Sequence, residues 1–206
     1  MNKTQMFQSV QNYLSQFGEP DKKILNAIEK TDRKNFMDEN KELAYEDKAI
    51  PIGHGQTISQ PSTVARMLSL LELKKTDEVL EIGTGSAWNA ALLGKLSKKV
   101  ITLEIVPELA EKSEDKLKKL KIKNVEVKQK YFRNLKQKFD KVIFTAGISI
   151  KQEKILENFA ENHLKENGIL ICPYQSGPLI ILKNKKGKIQ REYSKENYVF
   201  VPLILG

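Results

Sequence analysis

The chain has 206 residues, 40% hydrophobic and 30% charged, with a formal net charge of +9. That length suits one domain with a sizeable core, and the composition excludes a disordered or fibrous chain. No run of 18 apolar residues is present, which argues against a membrane-spanning helix.

The positive charge is spread along the chain as lysine, with arginine only at Arg33, Arg66, Arg133 and Arg191. Base and phosphate readers lean on arginine forks, so nucleic acid is not the expected partner. The single Cys172 can form no internal disulfide, and Met1–Met6 lacks the apolar stretch of a secretory signal. A cytoplasmic, monomeric protein is expected.

Residues 1–18 are expected to be helical, with Met6, Val10, Leu14 and Phe17 at helical spacing. Gly18-Glu19-Pro20 ends that segment, and a second helix carries Ile24, Leu25 and Ile28 on one face. Residues 37–57 hold Asp38, Asn40, Pro51, Gly53 and Gly55 and are expected to be ordered loop. A helix starts near Pro61. Alternation follows: strand 78–82, helix 87–96, strand 100–105, helix 107–120, strand 125–127, strand 141–145, helix 152–165 and strand 168–173. This order predicts an α/β fold, a mostly parallel sheet with helices on both faces. An antiparallel hairpin (179–184 and 189–193) and a last strand over 198–205 complete it. The lysines of helix 107–120 interleave with Glu108, Glu111, Glu114 and Asp115, the pattern of a solvated face.

Glu81-Ile82-Gly83-Thr84-Gly85-Ser86 lies between a strand and a helix. Glycines there let the backbone turn sharply and approach a ligand closely. A dinucleotide fingerprint would need glycine where Trp88 stands, and a phosphate-binding loop would need Gly-Lys-Ser/Thr, which is absent. An open Gly-x-Gly turn suits S-adenosylmethionine, which has no phosphate to cradle. Glu104 ends the next strand and can accept both ribose hydroxyls. No Cys/His cluster suggests a metal. Of the two histidines, His54 lies in the loop and His163 on a polar helix face.

The stretch AYEDKAIPIGHGQTISQPSTVARML at 44–68 strongly resembles the protein-L-isoaspartate O-methyltransferase family. EIGTGS at 81–86, FDKVIFTAG at 139–147 and HLKENGILICPY at 163–174 match in the same order. The resemblance implies a Rossmann-like methyltransferase fold with an N-terminal helical extension. Within a single domain, residues 1–60 would form helices and the active-site loop, and 61–206 the core. It implies methyl transfer from S-adenosylmethionine, leaving S-adenosylhomocysteine, to the α-carboxylate of L-isoaspartyl residues in damaged proteins. The ester would then favour cyclisation to succinimide. Ser59 falls on the active-site serine. Gln56, Thr57, Ile58 and Ser59 fall on the loop over cofactor and acceptor. Glu81, Gly83, Gly85 and Glu104 fall on the cofactor site.

This chain departs from the family at three places, one of them Ile204, which follows Val201-Pro202-Leu203 at a position that is often polar. The family's Gly-Asp-Gly after the third strand, whose aspartate meets the adenine amine, reads Lys130-Tyr131-Phe132 here. Tyr131 or Phe132 is expected either to stack on the adenine or to pack without touching it. The glycine after Ser86 is replaced by Ala87, a mild change if its φ is negative. The departures leave two alternatives, a diverged methyltransferase with another acceptor and a non-catalytic homologue with weakened cofactor binding.

Overall fold

The computed structural model describes residues 1–204. Helix α1 (Lys3–Ser15) starts at Asn2, whose side chain accepts the Gln5 amide while the Gln5 side chain accepts the Asn2 amide. That reciprocal pair satisfies two donors a helix start leaves open. Met6, Val10 and Leu14 form its buried stripe. Helix α2 (Lys22–Lys30) is capped by Asp21 and buries Ile24, Ala27 and Ile28.

The stretch 37–57, expected as loop, instead holds a small antiparallel hairpin, β1 (Ile50–Gly53) and β2 (Gln56–Ile58). Its turn is His54-Gly55, with φ of 54° and 68°. Two successive positive φ values match the twist of a tight hairpin. Strands of three and four residues are too short for alternation to reveal them. Helix α3 (Pro61–Leu70) has Pro61 in its first turn, as expected.

The alternating half follows its expected order: β3 (Glu78–Ile82), α4 (Trp88–Leu96), β4 (Lys99–Glu104), α5 (Pro107–Lys119), β5 (Val125–Gln129), β6 (Phe139–Phe144), α6 (Glu153–His163), β7 (Leu164–Pro173). A two-residue strand β8 (Ser176–Gly177) precedes the hairpin β9 (Leu179–Lys185) and β10 (Lys188–Tyr193). The main sheet runs β10-β9-β7-β6-β3-β4-β5. Strands β3 to β7 are parallel, and β9 and β10 are antiparallel additions at one edge.

Successive sheet residues point to opposite faces and feed two cores. Val79, Val100, Ile143 and Ile171 pack towards α1–α5, whereas Leu80, Ile101, Phe144 and Leu170 pack towards α6. Cys172 is fully buried in the second core.

The last expected strand is shorter than its sequence suggests. Only β11 (Tyr198–Val199) is a strand, and it pairs with β8 outside the main sheet. The segment then changes partner: Gly147 donates to Val201 O, and Leu203 donates to Gly147 O, both at 2.8 Å. Pro202 has no N–H and cannot extend a ladder, which breaks the run. Leu205 lies outside the described residues. No described helix is long and apolar enough to cross a membrane.

Candidate active site

In open parallel sheets, ligands bind beyond the carboxyl ends of the strands where the order of connections reverses. Here that point lies at β3, flanked by β4 and β6. A cavity opens there. Its walls come from Gln56–Ser59, Ile82–Ser86 with Trp88 and Asn89, Leu103–Val106, Lys130 with Phe132, Thr145-Ala146 and Val201–Ile204.

The turn after β3 is fixed from both sides. Gly83 has φ 96°, and a Cβ there would sit 2.3 Å from Thr145 Oγ1. That hydroxyl donates to Gly83 O at 2.6 Å. The Gly83 and Thr84 amides both donate to Leu103 O, at 2.9 and 3.2 Å. Gly85 N donates to Glu104 Oε2 at 2.8 Å, and Ser113 Oγ donates to Gly85 O at 2.8 Å. The other Glu104 oxygen accepts the amides of Ile105 and Val106, at 2.9 and 3.0 Å. Glu104 is only 5% exposed.

Glu81 is in the same stretch but behind the wall rather than in it, with no exposed surface. Thr102 Oγ1 donates to one oxygen at 2.5 Å, and Asn89 Nδ2 to the other at 2.7 Å. Burial pushes its carboxyl up to about 8, against the pull of both donors. Nearby, Ala87 has φ 70° rather than the negative value expected of an alanine. Its Cβ is buried at the start of α4.

Phe132 and Tyr131 part company. Phe132 is 4% exposed, lines the cavity, and meets Phe144 and Phe159 edge-on at 5.6 and 5.4 Å. Tyr131 has extended backbone, so its side chain points the other way; it is 44% exposed and not part of the wall. The structure therefore brings Gln56, Thr57, Ile58, Ser59, Gly83, Gly85, Glu104 and Phe132 together, and leaves out Tyr131 and Glu81.

Comparisons with known proteins show which family the chain belongs to. The family model for protein-L-isoaspartate(D-aspartate) O-methyltransferase matches residues 2–206. The chain belongs to this family. The protein-L-isoaspartate O-methyltransferase of Thermosipho melanesiensis is 37% identical over 198 residues, 89% of this chain and 94% of its own length. That of Yersinia enterocolitica is 37% identical over 199 residues, 94% of this chain and 93% of its own. A solved protein-L-isoaspartate O-methyltransferase superposes with a TM-score of 0.84 at 23% identity, over 100% of this chain and 67% of that one. A Plasmodium falciparum structure, a putative member in complex with S-adenosyl-L-homocysteine, gives 0.79 at 24% identity over the full length of both chains. These two likenesses concern the fold.

As a protein-L-isoaspartate O-methyltransferase family member, the chain uses wall residues its motifs do not announce. Thr145 and Ala146 follow β6, and Ile105 and Val106 follow β4. The rule that sites open beyond strand ends would have found them. Val201–Ile204 escape that rule, because an apolar run there reads as one more strand. His54 is exposed at the hairpin turn, and His163 Nδ1 lies 3.0 Å from Gln137 O, away from the cavity. No group of three or more His, Cys, Asp or Glu residues suited to a metal occurs among the described residues.

Proposed function

We propose that the chain methylates the α-carboxylate of L-isoaspartyl residues in damaged proteins, with S-adenosylmethionine as donor. One observation carries this reading. Thr57, Ser59 and Val201 line the cofactor cavity and also a second depression, with Gln60, Thr63, Ser176, Asn197 and Phe200 around it. Two hydroxyl side chains thus stand on the wall shared by the two depressions.

The donor fits the first cavity. The Glu104 carboxylate suits a ribose diol, the glycine turn admits close backbone approach, and Phe132 with Leu203 offers an apolar end for a base. S-adenosylmethionine bound there supplies a methyl group on a sulfonium, which carries its own leaving group.

The acceptor needs no general base, because a carboxylate with a pKa of roughly 4 is already ionised at neutral pH. Ser59 and Thr57 can donate hydrogen bonds to it and aim one oxygen at the methyl group. Alignment and exclusion of water are the contributions required. Val201–Ile204 and the β1–β2 hairpin supply the exclusion. The methyl ester then gives a better leaving group, methanol, to attack by the following backbone nitrogen. An aspartyl residue presents its α-carboxyl as a peptide bond and offers no such oxygen. The partners are accordingly isoaspartyl proteins and peptides. A monomer in the cytoplasm belongs to the same reading.

The test compares an isoaspartyl peptide with its aspartyl twin, using labelled donor. Incorporation into the first alone supports the reading, and equal incorporation or none overturns it. Ser59→Ala should lower kcat/KM for the peptide at least about tenfold while leaving S-adenosylhomocysteine binding within about threefold.

A further inference from the structure

Arg33 is the second-largest fully buried side chain, with 0% exposure. It lies at the start of a short helical turn (Arg33–Phe36) after α2. Its guanidinium has no carboxylate partner among the described residues; Asp47 acts on it only at a distance. Burial lowers its pKa to about 10, so it stays protonated at neutral pH. A cation taken out of water is costly unless its donors are satisfied.

The terminal donors are satisfied by the backbone of one segment, while Nε–H is buried without a partner. One terminal nitrogen donates to Ala44 O at 2.9 Å and Glu46 O at 3.2 Å. The other donates to Lys48 O at 3.0 Å, Ile58 O at 3.2 Å and Ser59 O at 3.0 Å. The first three carbonyls precede the β1–β2 hairpin, and the last two belong to its final residue and the one after it. One fork therefore closes the base of the loop whose far side lines the cavity. The Ser59 carbonyl is one of its acceptors, which fixes the peptide plane from which the Ser59 hydroxyl departs.

The same guanidinium lies 5.5 Å over the Trp88 ring, and Trp88 Nε1 donates to Thr31 O at 3.1 Å. Trp88 begins α4 and lines the cofactor cavity. The acceptor loop and the cofactor helix are thus referred to one side chain.

We propose that Arg33 is a positioning residue: it sets the Ser59 hydroxyl against the reacting methyl by holding both ends of the 44–59 loop and resting on Trp88. The inference rests on the methyltransferase reading above. Lysine keeps the charge but offers a point donor instead of a planar fork, so it cannot hold five carbonyls from the two arms of the loop.

The experiment uses the full chain, its Arg33→Lys and Arg33→Met variants, and Ser59→Ala. For Arg33→Lys, kcat/KM for an isoaspartyl peptide should fall about 10–100-fold, with S-adenosylhomocysteine affinity by calorimetry changing less than about threefold. Because Arg33 acts through Ser59, the lysine effect should shrink to under about threefold in the Ser59→Ala background. A parallel loss of product affinity, unchanged kinetics, or full additivity with Ser59→Ala would each overturn the proposal. If Arg33→Met fails to fold, the lysine variant carries the test. If the parent chain does not methylate the peptide, the functional reading fails, and amide exchange decides this one. Faster exchange in residues 50–59 of Arg33→Lys, with β3 and β4 unchanged, supports the clamp; unchanged exchange in 50–59 refutes it.

Discussion

Glu104 and Gly85 are joined across the cofactor turn, with the glycine amide donating to the carboxylate at 2.8 Å. The carboxylate thus shapes the turn as well as facing the cavity. Glu104→Gln keeps the size, loses the charge, and replaces one accepting oxygen by a donor. Charge-assisted hydrogen bonds are roughly twice as strong as neutral ones. S-adenosylhomocysteine affinity should fall at least about tenfold, measured by calorimetry, and the thermal midpoint of the unliganded protein should fall as well, because the new NH2 faces a backbone N–H where an oxygen accepted.

Glu81 makes stability depend on pH. Its carboxyl is raised to about 8 in the native state, against about 4.5 for an unperturbed one. Between those values the native state holds a proton that the unfolded chain has lost. The stabilising contribution is complete below pH 4.5 and is lost as pH rises through 8, at up to about 1.4 kcal/mol per unit. Glu81→Gln removes this slope. In urea unfolding, the stability difference between variant and parent should move in the variant's favour from pH 5 to pH 8. A constant difference would show that Glu81 is ionised throughout.

Ala87 occupies left-handed backbone at φ 70°. That conformation costs an alanine about 1–2 kcal/mol, which glycine avoids. Glycine gives back about 0.4–1 kcal/mol in the freer unfolded chain and about 0.8 kcal/mol from the lost buried methyl. Ala87→Gly should therefore stay within about 1 kcal/mol of the parent by denaturant titration. Ala87→Val, with a branched Cβ in the same conformation, should cost more than about 2 kcal/mol.

The Tyr13 and Tyr198 hydroxyls meet at 2.8 Å and tie α1 to the segment that leads into Val201–Ile204. Arg66 supports the same segment, 3.4 Å from Glu196 and 3.9 Å over the Phe17 ring. Tyr13→Phe leaves the Tyr198 hydroxyl without its partner, at a cost of about 1 kcal/mol. Bound S-adenosylhomocysteine should dissociate about two- to fivefold faster in stopped flow, with the association rate little changed.

The alternating half of the fold was legible because each strand is a short apolar run and each helix keeps its stripe. The turn at Gly83 and Gly85 was legible for a related reason: two glycines between a strand and a helix have few other uses. The hairpin Ile50–Ile58 was not, since Pro51, Gly53 and Gly55 dominate so short a stretch. Ala87 misled because φ is a property of the turn, and alanine rarely signals a positive value. Tyr131 and Phe132 stood as equals in sequence, and only the direction of the chain separated an exposed ring from one in the wall. Arg33 gave no signal at all: one arginine has no period, and the carbonyls it gathers belong to any residue.

The cavity draws its walls from stretches as far apart as Gln56 and Ile204. No local fragment contains a binding site, and a nascent chain lacks one until its residues near 200 have docked against Gly147. A ligand recognises only the completed state, and adds stability there by mass action. It should accordingly raise the stability of the folded protein in proportion to the logarithm of its concentration.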